Sequence, residues 1–300
     1  MRTVYIASVS GGKDSTAMCL HLREQGLQFR AVHFDTGWEH AETVRYVREV
    51  LPDYIGPVEV IRREPALDEE REEYAVELEN MLGFRSPFVR FVLKKGMFPS
   101  RVRRFCTQEL KVFCVRDVVK GVHEAGALPV NVVGIRAAES VARSKLAERE
   151  VSTSLDCMVW RPLIRWTERE VVEIHQRHGV PPNPLYLRGS SRVGCWPCIQ
   201  ARKSEIRALD EPRIRVIERL EEICGELAER RERNTTNSPG MFQASRRRAD
   251  GTRPCVPIRE HVAWSKTAHG SDEEDRQLGF QGMNDGCLRW GLCDLGDTDA

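Results

Sequence analysis

The stretch that decides the fold begins with Thr3-Val4-Tyr5-Ile6-Ala7-Ser8 and continues, after one residue, as Ser10-Gly11-Gly12-Lys13-Asp14-Ser15. Its first part is apolar and β-branched, which is typical of a short buried strand. Apolar residues within residues 13–25 predict that a helix follows the glycine pair at once. A strand, a polar glycine-containing loop and a helix in this order are typical of α/β folds, where such a loop leaves the carboxyl end of a strand.

The same alternation continues along the first two thirds of the chain. We predict strands over residues 28–34, 58–62, 129–135 and 158–163, and helices over residues 41–50, 67–82, 110–125, 167–178 and 199–232. Strands that alternate with helices predict βαβ units and a mostly parallel sheet. After Asn234, glycine, proline, serine and charged residues dominate. We therefore expect an α/β domain over residues 1–200 and a helical, then irregular, cysteine-containing extension over residues 201–300.

Composition narrows the class of protein. The chain has 300 residues, of which 41% are hydrophobic, and its 46 basic and 45 acidic residues leave a net charge of +1. This balance argues against a globally basic nucleic-acid-binding protein. No uncharged run approaches the ~18 residues of a membrane span, and no signal peptide is evident, so we expect a cytoplasmic protein. Ten cysteines in that compartment predict metal ligands, catalytic thiols or buried thiols rather than disulfides.

The loop from Ser10 to Ser15 has the chemistry of a phosphate site. Two glycines let the backbone approach an anion, and the following helix adds unpaired N–H groups and a positive dipole end. The two serines offer hydroxyls, Lys13 offers a positive charge, and Asp14 offers a carboxylate for Mg²⁺. The alternative, a glycine turn with a helix-capping serine, explains only one serine and one glycine. The loop is not a Walker A motif, because Asp14 directly follows Lys13.

Two further residues are predicted at the same edge of the sheet. Asp35 follows the second predicted strand, within reach of a ribose or an adenine, although an aspartate before Gly37 is also a common turn former. Arg136 ends the fourth predicted strand, two residues after Gly134, and an arginine there can hold a phosphate or a sulfate with two donors. The alternative for Arg136 is a surface ion pair with Glu139.

These motifs together resemble a known family. The loop resembles the pyrophosphate loop of the adenine nucleotide α-hydrolase superfamily, which includes N-type ATP pyrophosphatases, the small subunit of ATP sulfurylase and phosphoadenosine phosphosulfate (PAPS) reductases. Further segments, from residue 4 to about residue 200, resemble the PAPS reductase family: residues 33–38, 104–111, 134–140 with Arg143, 161–163 with Trp166-Thr167, 183–186 and 194–198.

The resemblance implies a three-layer α/β/α sandwich that binds an adenine nucleotide. It implies that Lys13, Asp14 and Arg136 act on the phosphates. The nucleotide-binding residues that it implies are Ser10, Gly11, Gly12, Lys13, Asp14, Ser15, Asp35, Thr36, Gly134, Arg136 and Arg143.

The cysteines predict a second centre. Cys195 and Cys198 have the spacing of metal ligands or of a redox pair, and Cys106 lies 89 residues upstream. Family members with a four-iron cluster carry a cysteine pair near the position of Cys106, followed by a Cys-x-x-Cys; here the pair is Cys106-Thr107. The resemblance therefore implies three matched ligands, and we predict Cys287 as the fourth, ahead of Cys293 and Cys255. The predicted group is a 4Fe-4S cluster, and zinc fits the count equally well.

The remaining cysteine positions have simpler interpretations. The alternative for Cys195 and Cys198 is that they are small hydrophobic residues of a loop. Four other cysteines lie in apolar or helical patterns, so we predict buried thiols at Cys19, Cys114, Cys157 and Cys224.

Residues 85–120 form a basic stretch with eight more lysines and arginines than acids, interleaved with phenylalanines. This mixture fits a surface for a nucleic-acid acceptor or a groove for an anionic nucleotide. It fits equally an amphipathic helix with a phenylalanine face in the core. For the three arginines beside Cys106 we favour anion binding: Arg101, Arg103 and Arg104.

Three functions compete at this point. The first is ATP α-phosphate chemistry with Mg²⁺, which transfers an adenylyl group and releases pyrophosphate, for sulfur transfer to a nucleic acid or a small molecule, with a sulfur-donor protein as a partner. The second is thiol-dependent reduction of PAPS or its 3′-dephospho form (APS) to sulfite. The third is a non-catalytic nucleotide-binding module. We favour the first, because family reductases usually lack the Lys-Asp pair, and a pyrophosphate leaving group needs such charges.

Overall fold

The structure is a computed structural model that describes residues 1–230, 240–243 and 254–267. Six strands form one sheet in the order β3-β2-β1-β4-β6-β5, and two short strands pair separately near the end of the described chain. The strands are β1 Thr3–Ser8, β2 Phe29–Phe34, β3 Val58–Ile61, β4 Leu128–Val132, β5 Arg149–Ser152, β6 Cys157–Trp160, β7 Phe242–Gln243 and β8 Cys255–Val256.

Thirteen α-helices are described, together with π-helical turns at Tyr46–Val50 and Gln108–Val112 and a 3₁₀ turn at Ala137–Glu139. The helices are α1 Lys13–Glu24, α2 Ala41–Arg45, α3 Leu51–Ile55, α4 Glu69–Leu82, α5 Pro87–Lys95, α6 Phe105–Thr107, α7 Phe113–Glu124, α8 Val141–Ser144, α9 Glu168–Arg177, α10 Pro184–Leu187, α11 Lys203–Arg207, α12 Glu211–Glu229 and α13 Ile258–Ser265.

The large sheet is mostly parallel, as predicted. Strand β1 lies at its centre and pairs in parallel with β2 and with β4, and β3 and β6 extend the sheet in parallel on either side. Strand β5 is antiparallel to β6 at the edge. The sequence analysis missed β5, because Arg149–Ser152 is polar and mostly exposed, and an edge strand of this kind carries no hydrophobic pattern.

Three layers result from the alternation of side chains along β1. Ala7 belongs to an apolar cluster on one face of the sheet, which includes residues of α1, α3 and α9. Its neighbour Ile6 points to the opposite face and packs with α7. Because successive residues of a strand face opposite sides, one strand supplies both layers of core. The α/β fold predicted from the alternating elements is therefore confirmed.

A third apolar cluster joins helices that are distant in sequence. Residues of α4, α5 and α12 share it, and Met241, Phe242, Ile258 and Val262 from the end of the described chain are buried in it. The helices predicted over residues 199–232 are present as α11 and α12. The division of the chain near residue 200 stays a prediction.

Two local predictions are confirmed in detail. The sequence predicts Trp166 or Thr167 as the N-cap of this helix, with Glu170 in a partial capping box; Thr167 is the N-cap of α9, and its capping box with Glu170 is complete. The four cysteines predicted as buried thiols are all free and buried: Cys19, Cys114, Cys157 and Cys224. Within the described ranges, no helix combines the length and the apolar character that a membrane crossing requires.

Candidate active site

The predicted phosphate loop lies where β1 ends and α1 begins. Helix α1 starts at Lys13, and its N-cap residue Gly12 provides no side chain to bind the first N–H groups. The strands on both sides of β1 run parallel to it. Residues that follow β2 and β4 are therefore brought to the same edge as the loop, which is where open α/β sheets bind ligands.

Two glycines let this loop pack closely against its neighbours. Gly11 has a φ of +75°, and a Cβ there would lie 2.8 Å from Cγ2 of Val47. Gly134, just after β4, lies against the loop itself, and a Cβ there would lie 2.5 Å from the carbonyl oxygen of Asp14 and 2.9 Å from Cα of Ser15. The loop is therefore held between the helical segment after β2 and the end of β4.

The two serine hydroxyls close the loop. Oγ of Ser15 lies 3.1 Å from Oγ of Ser10, accepts the N–H of Ser10 at 3.1 Å and donates to the carbonyl of Gly12 at 2.9 Å. Ser15 is buried and Ser10 is exposed. An incoming phosphate would therefore exchange hydrogen bonds with these hydroxyls.

Three predicted residues form one charged group. Nζ of Lys13 lies 3.2 Å from Oδ2 of Asp14 and 3.5 Å from a carboxylate oxygen of Glu168. Nε of Arg136 donates to Oδ1 of Asp14. Arg136 is buried, so one carboxylate is held between two cations at the end of β4. The structure thus brings Lys13, Asp14 and Arg136 together across 122 residues of sequence.

Glu139 connects this group to the predicted residue Arg143. Its carboxylate accepts the backbone N–H of Arg136 at 2.7 Å and pairs with the guanidinium of Arg143. The alternative interpretation of Arg136, a surface ion pair with Glu139, does not hold for the side chains, because the Arg136 guanidinium turns to Asp14 instead. Glu139 therefore links the side chain of Arg143 to the backbone of Arg136.

Asp35 forms the turn that one of its two interpretations predicts, and its contact with a ribose or an adenine stays a prediction. It follows β2 at the expected edge, and its Oδ1 accepts the N–H of Gly37 at 2.8 Å, as in a turn. Its Oδ2 accepts from Arg62 at 2.6 Å and from Arg48 at 3.0 Å. Burial raises the pKa of Asp35, but the hydrogen bonds from Arg62 and Gly37 outweigh burial and keep the pKa below its ordinary value. Thr36, the next predicted residue, donates to Glu39 at 2.6 Å.

The sequence analysis missed three residues that hold the loop. Nδ2 of Asn183 donates to the carbonyl of Gly11 at 3.2 Å. The hydroxyl of Tyr186 accepts the N–H of Lys13 at 3.1 Å, and Nε2 of His175 lies 2.9 Å from the carbonyl oxygen of Lys13. Asn183 and Tyr186 lie in a segment that carried the family resemblance, but no local pattern shows which backbone groups they bind.

The Cys-x-x-Cys loop lies beside the segment that follows β2. The N–H of Trp196 donates to the carbonyl of Trp38 at 2.7 Å, and Nε1 of Trp38 donates to the carbonyl of Pro197 at 3.0 Å. Glu39 also forms an isolated bridge with Cys195. The residues after β2 therefore contribute both to the nucleotide edge, through Asp35, and to the cysteine loop.

Cys106 lies close enough to Cys195 and Cys198 for the three thiols to interact electrostatically, and Lys111 lies among them. Burial raises the pKa of Cys195 to about 12, and burial also raises the pKa of Cys106. The charge of a Cys195 thiolate raises the pKa of Lys111. Lys111 is exposed, and its positive charge opposes the effect of burial on the pKa of Cys195 without outweighing it.

Comparison with known proteins identifies a matching family. The family described as "Phosphoadenosine phosphosulfate reductase domain" matches residues 4–201. The chain belongs to the PAPS reductase family. The match covers the phosphate loop, the segment after β2, Arg136 and all three gathered cysteines.

Relatives differ in how much of the chain they share. A 37.8 kDa protein of the gpa 5′ region of Escherichia phage 186 is 34% identical over 312 residues, covering 91% of each chain. An adenosine 5′-phosphosulfate reductase of Burkholderia cepacia is 31% identical over 139 residues, which cover 45% of this chain and 53% of the reductase. A crystal structure of PAPS reductase from Candida auris in complex with phosphate aligns with a TM-score of 0.43 and 18% identity over 64% of this chain and 81% of that one.

The cysteines of this PAPS reductase family member do not form a complete metal site. Across residues 1–230, 240–243 and 254–267, no group of three or more histidine, cysteine, aspartate or glutamate side chains is placed to hold a metal ion. The three thiols are gathered but are not arranged as ligands. Cys287, the predicted fourth ligand, and Cys293 lie outside the described residues. We derive no chemical step through a metal, and the cluster and its zinc alternative stay predictions.

Metal analysis tests that prediction directly. If Cys106, Cys195 and Cys198 hold iron or zinc, the metal should co-purify anaerobically with the full chain and be largely lost from the Cys195→Ser variant, because a four-ligand centre would lose a thiolate. Cys114→Ser is the control, because that thiol is buried in α7, away from the predicted set. Metal content and visible absorbance are the measurements, and equal metal in the two variants would exclude Cys195 as a ligand.

The fold buries part of the basic stretch at residues 85–120 and leaves part of it exposed. Four of its phenylalanines are buried: Phe88, Phe91, Phe98 and Phe105. The amphipathic-helix alternative fits Phe88 and Phe91, which lie on α5, whereas Phe98 lies in a loop. Arg90 is buried too and bonds to Glu72 and Glu79. The arginines predicted to bind anions remain exposed on a loop before α6: Arg101, Arg103 and Arg104. A nucleic-acid acceptor stays a prediction that rests on these three.

Proposed function

We propose that this PAPS reductase family member is an enzyme that binds ATP at Ser10–Ser15 and breaks it between the α- and β-phosphates. An oxygen of the acceptor attacks the α-phosphorus, the bond to the bridging oxygen breaks, and pyrophosphate leaves with the electron pair. The acceptor oxygen becomes adenylylated, which activates it for replacement by sulfur. The observation that carries the proposal is the carboxylate of Asp14 held between Lys13 and Arg136, where β1 and β4 end.

Different residues of this chain would contact different phosphate groups of ATP. The N-terminus of α1, with its glycine N-cap, binds phosphate oxygens through backbone N–H groups. The hydroxyl oxygen of Tyr186 already accepts one of these groups, the N–H of Lys13. An oxygen atom that accepts a hydrogen bond, such as a phosphate oxygen, is therefore accommodated at that position. Lys13 offsets the negative charge of the departing pyrophosphate, and Arg136 offsets charge on the reacting phosphate.

Mg²⁺ fits this edge of the sheet. In nucleotide sites Mg²⁺ takes one or two carboxylates and completes its shell with phosphate oxygens and water. Asp14 supplies such a carboxylate, and Glu168 lies on the other side of Lys13. When bound, Mg²⁺ would neutralise charge on the pyrophosphate.

Calorimetry with a variant tests the nucleotide. Lys13→Ala should weaken ATP binding by about tenfold or more and leave AMP binding nearly unchanged, since a charge-assisted contact is worth roughly 1.5–3 kcal/mol and AMP lacks the β- and γ-phosphates. Lys120→Ala is the control, because Lys120 is exposed on α7 and its ion pair among the described residues is with its helical neighbour Glu124. Equal losses of affinity for ATP and for AMP would indicate that Lys13 contacts a part of the nucleotide that both share, and would contradict the proposal.

Reduction of PAPS or APS to sulfite by a thiol is the second candidate. Similarity to curated APS reductases and the gathered thiols beside the nucleotide edge favour it. Binding of PAPS or APS much tighter than that of ATP, without pyrophosphate release from ATP in the presence of acceptors, would select it over adenylyl transfer. For adenylyl transfer, we propose a nucleic acid or a small molecule as the acceptor and a separate protein as the sulfur donor.

A further inference from the structure

Two buried hydrogen-bond donors near the Cys-x-x-Cys loop have no acceptor in the described part of the chain. They are Nη1 of Arg213 and Nε1 of Trp196. A buried donor without a partner is unfavourable, and more so when it is charged. Such groups are rare in folded proteins and commonly mark a site completed by an ion or another ligand.

Arg213 lies near the Cys-x-x-Cys loop and is connected to it through Trp38. It is the third residue of α12, its side chain is buried, and its guanidinium carbon is 4.4 Å from the centre of the Trp38 ring. The same indole donates to the carbonyl of Pro197. Arg213 therefore contacts the aromatic side chain that holds the loop. Helix α12 lies beyond the residues that match the family.

Arg213 carries its positive charge in a buried position. Burial lowers its pKa to about 10, so the guanidinium stays charged at neutral pH. Its neighbouring carboxylates are Asp210 and Glu39, and both have other partners. Oδ1 of Asp210 accepts the backbone N–H of Arg213 as a helix cap, and Glu39 accepts from Thr36 and from the N–H of Trp38.

His40 lies beside Trp196. The rings of His40 and Trp196 meet edge to face, with their centres 5.2 Å apart. Burial lowers the pKa of His40, and the charges of Arg188 and Arg213 lower it further. Nδ1 of His40 accepts the N–H of Glu42 at 3.1 Å. In the neutral ring the proton is then on Nε2, which makes His40 a donor as well.

We propose that Arg213 and Trp196, with His40 beside Trp196, form a binding site for a small inorganic oxyanion next to Cys195 and Cys198. A guanidinium and an indole N–H are both donors without acceptor capacity. An oxyanion presents oxygen acceptors in several directions, so one ion would satisfy both donors and balance the guanidinium charge. Sulfate and phosphate share this chemistry. The site is independent of the nucleotide loop.

Titration of the full chain with sulfate and with phosphate, without nucleotide and at constant ionic strength, tests the site. Trp196→Phe keeps the aromatic ring and removes only the N–H, and Arg213→Met removes the charge. Each should weaken oxyanion binding by about tenfold or more, as expected for a lost hydrogen bond to a charged group. The control Trp264→Phe, on α13, should bind as the wild type does. The ion that binds more tightly, sulfate or phosphate, is the preferred ligand of the site.

The Lys13→Ala variant separates this site from the proposed function. We expect it to lose ATP affinity and to keep the oxyanion binding that depends on Arg213. Oxyanion binding that disappears in Lys13→Ala and persists in Arg213→Met and Trp196→Phe would place the ion in the nucleotide loop and overturn the inference. Unchanged ATP affinity in Lys13→Ala, with oxyanion binding still lost in Arg213→Met, would instead contradict only the proposed function.

Thermal unfolding supplies a readout that does not depend on activity. A ligand that binds only the folded state raises the melting temperature, so sulfate or phosphate should raise the melting temperature of the wild type more than that of Trp196→Phe. Without either ion, Trp196→Phe should melt with the wild type, because no hydrogen bond within the described chain is lost. A clear drop in the melting temperature without the ions would show that the indole N–H already has a partner, and would overturn the inference.

Discussion

Replacing Gly134 with alanine is expected to destabilise the fold by about 3 kcal/mol and to abolish nucleotide binding at the loop. The added methyl group would lie 2.5 Å from the carbonyl oxygen of Asp14 and 2.9 Å from Cα of Ser15. Both are backbone atoms of the first turn of α1, which cannot rotate away as a flexible side chain does. The end of β4 and the start of α1 would have to separate, and Arg136, two residues later, would move with the strand.

The matched control is Gly121→Ala. Gly121 lies inside α7, and a Cβ there would have no neighbour within 4 Å. Alanine in a helix interior is favoured over glycine by about 1 kcal/mol, so this variant should be slightly more stable than the wild type. Denaturant unfolding and ATP calorimetry on both variants are the measurements. Normal ATP binding by Gly134→Ala would show that the contact between β4 and the loop is not needed.

Acid is expected to destabilise the fold through His175. Burial lowers the pKa of His175 to about 4, although its hydrogen bond to the Lys13 carbonyl and the nearby Asp14 carboxylate oppose this effect. Unfolded chains take up this proton near pH 6.5, while the folded chain takes it up only near pH 4. The unfolded state therefore binds more protons in that interval, and stability falls as the pH falls. The full effect is about 3 kcal/mol.

Two variants separate the titration of His175 from its hydrogen bond. His175→Gln cannot titrate but keeps an N–H that can reach the Lys13 carbonyl, and His175→Ala loses both properties. Both should show a flatter dependence of unfolding free energy on pH between 6.5 and 4 than the wild type. At pH 7.5 only the alanine variant should be clearly less stable. If the glutamine variant follows the wild-type pH dependence, another group must account for the acid sensitivity.

Local patterns were sufficient to predict the centre of the fold. An apolar β-branched run, two glycines and a helical repeat each depend on residues a few positions apart, so β1, the loop and α1 were predicted to within a residue or two. The same holds for the capping box at Thr167 and for the buried thiols of α1 and α7, where periodicity alone predicts burial. The edge strand β5 was missed, because its polar residues carry no such period.

The sequence by itself determined the parallel α/β fold, the place of the Ser10–Ser15 loop between β1 and α1, the family and the identity of the gathered cysteines. The tertiary structure decided how these residues are paired. The guanidinium of Arg136 binds Asp14 rather than Glu139, and Asn183, Tyr186 and His175 hold the loop from more than 160 residues away. The physical reason is that a hydrogen bond depends on distances of about 3 Å and on direction, which are set by packing of distant segments. Residue types and spacing fix the available donors and acceptors, and only the folded chain selects their partners.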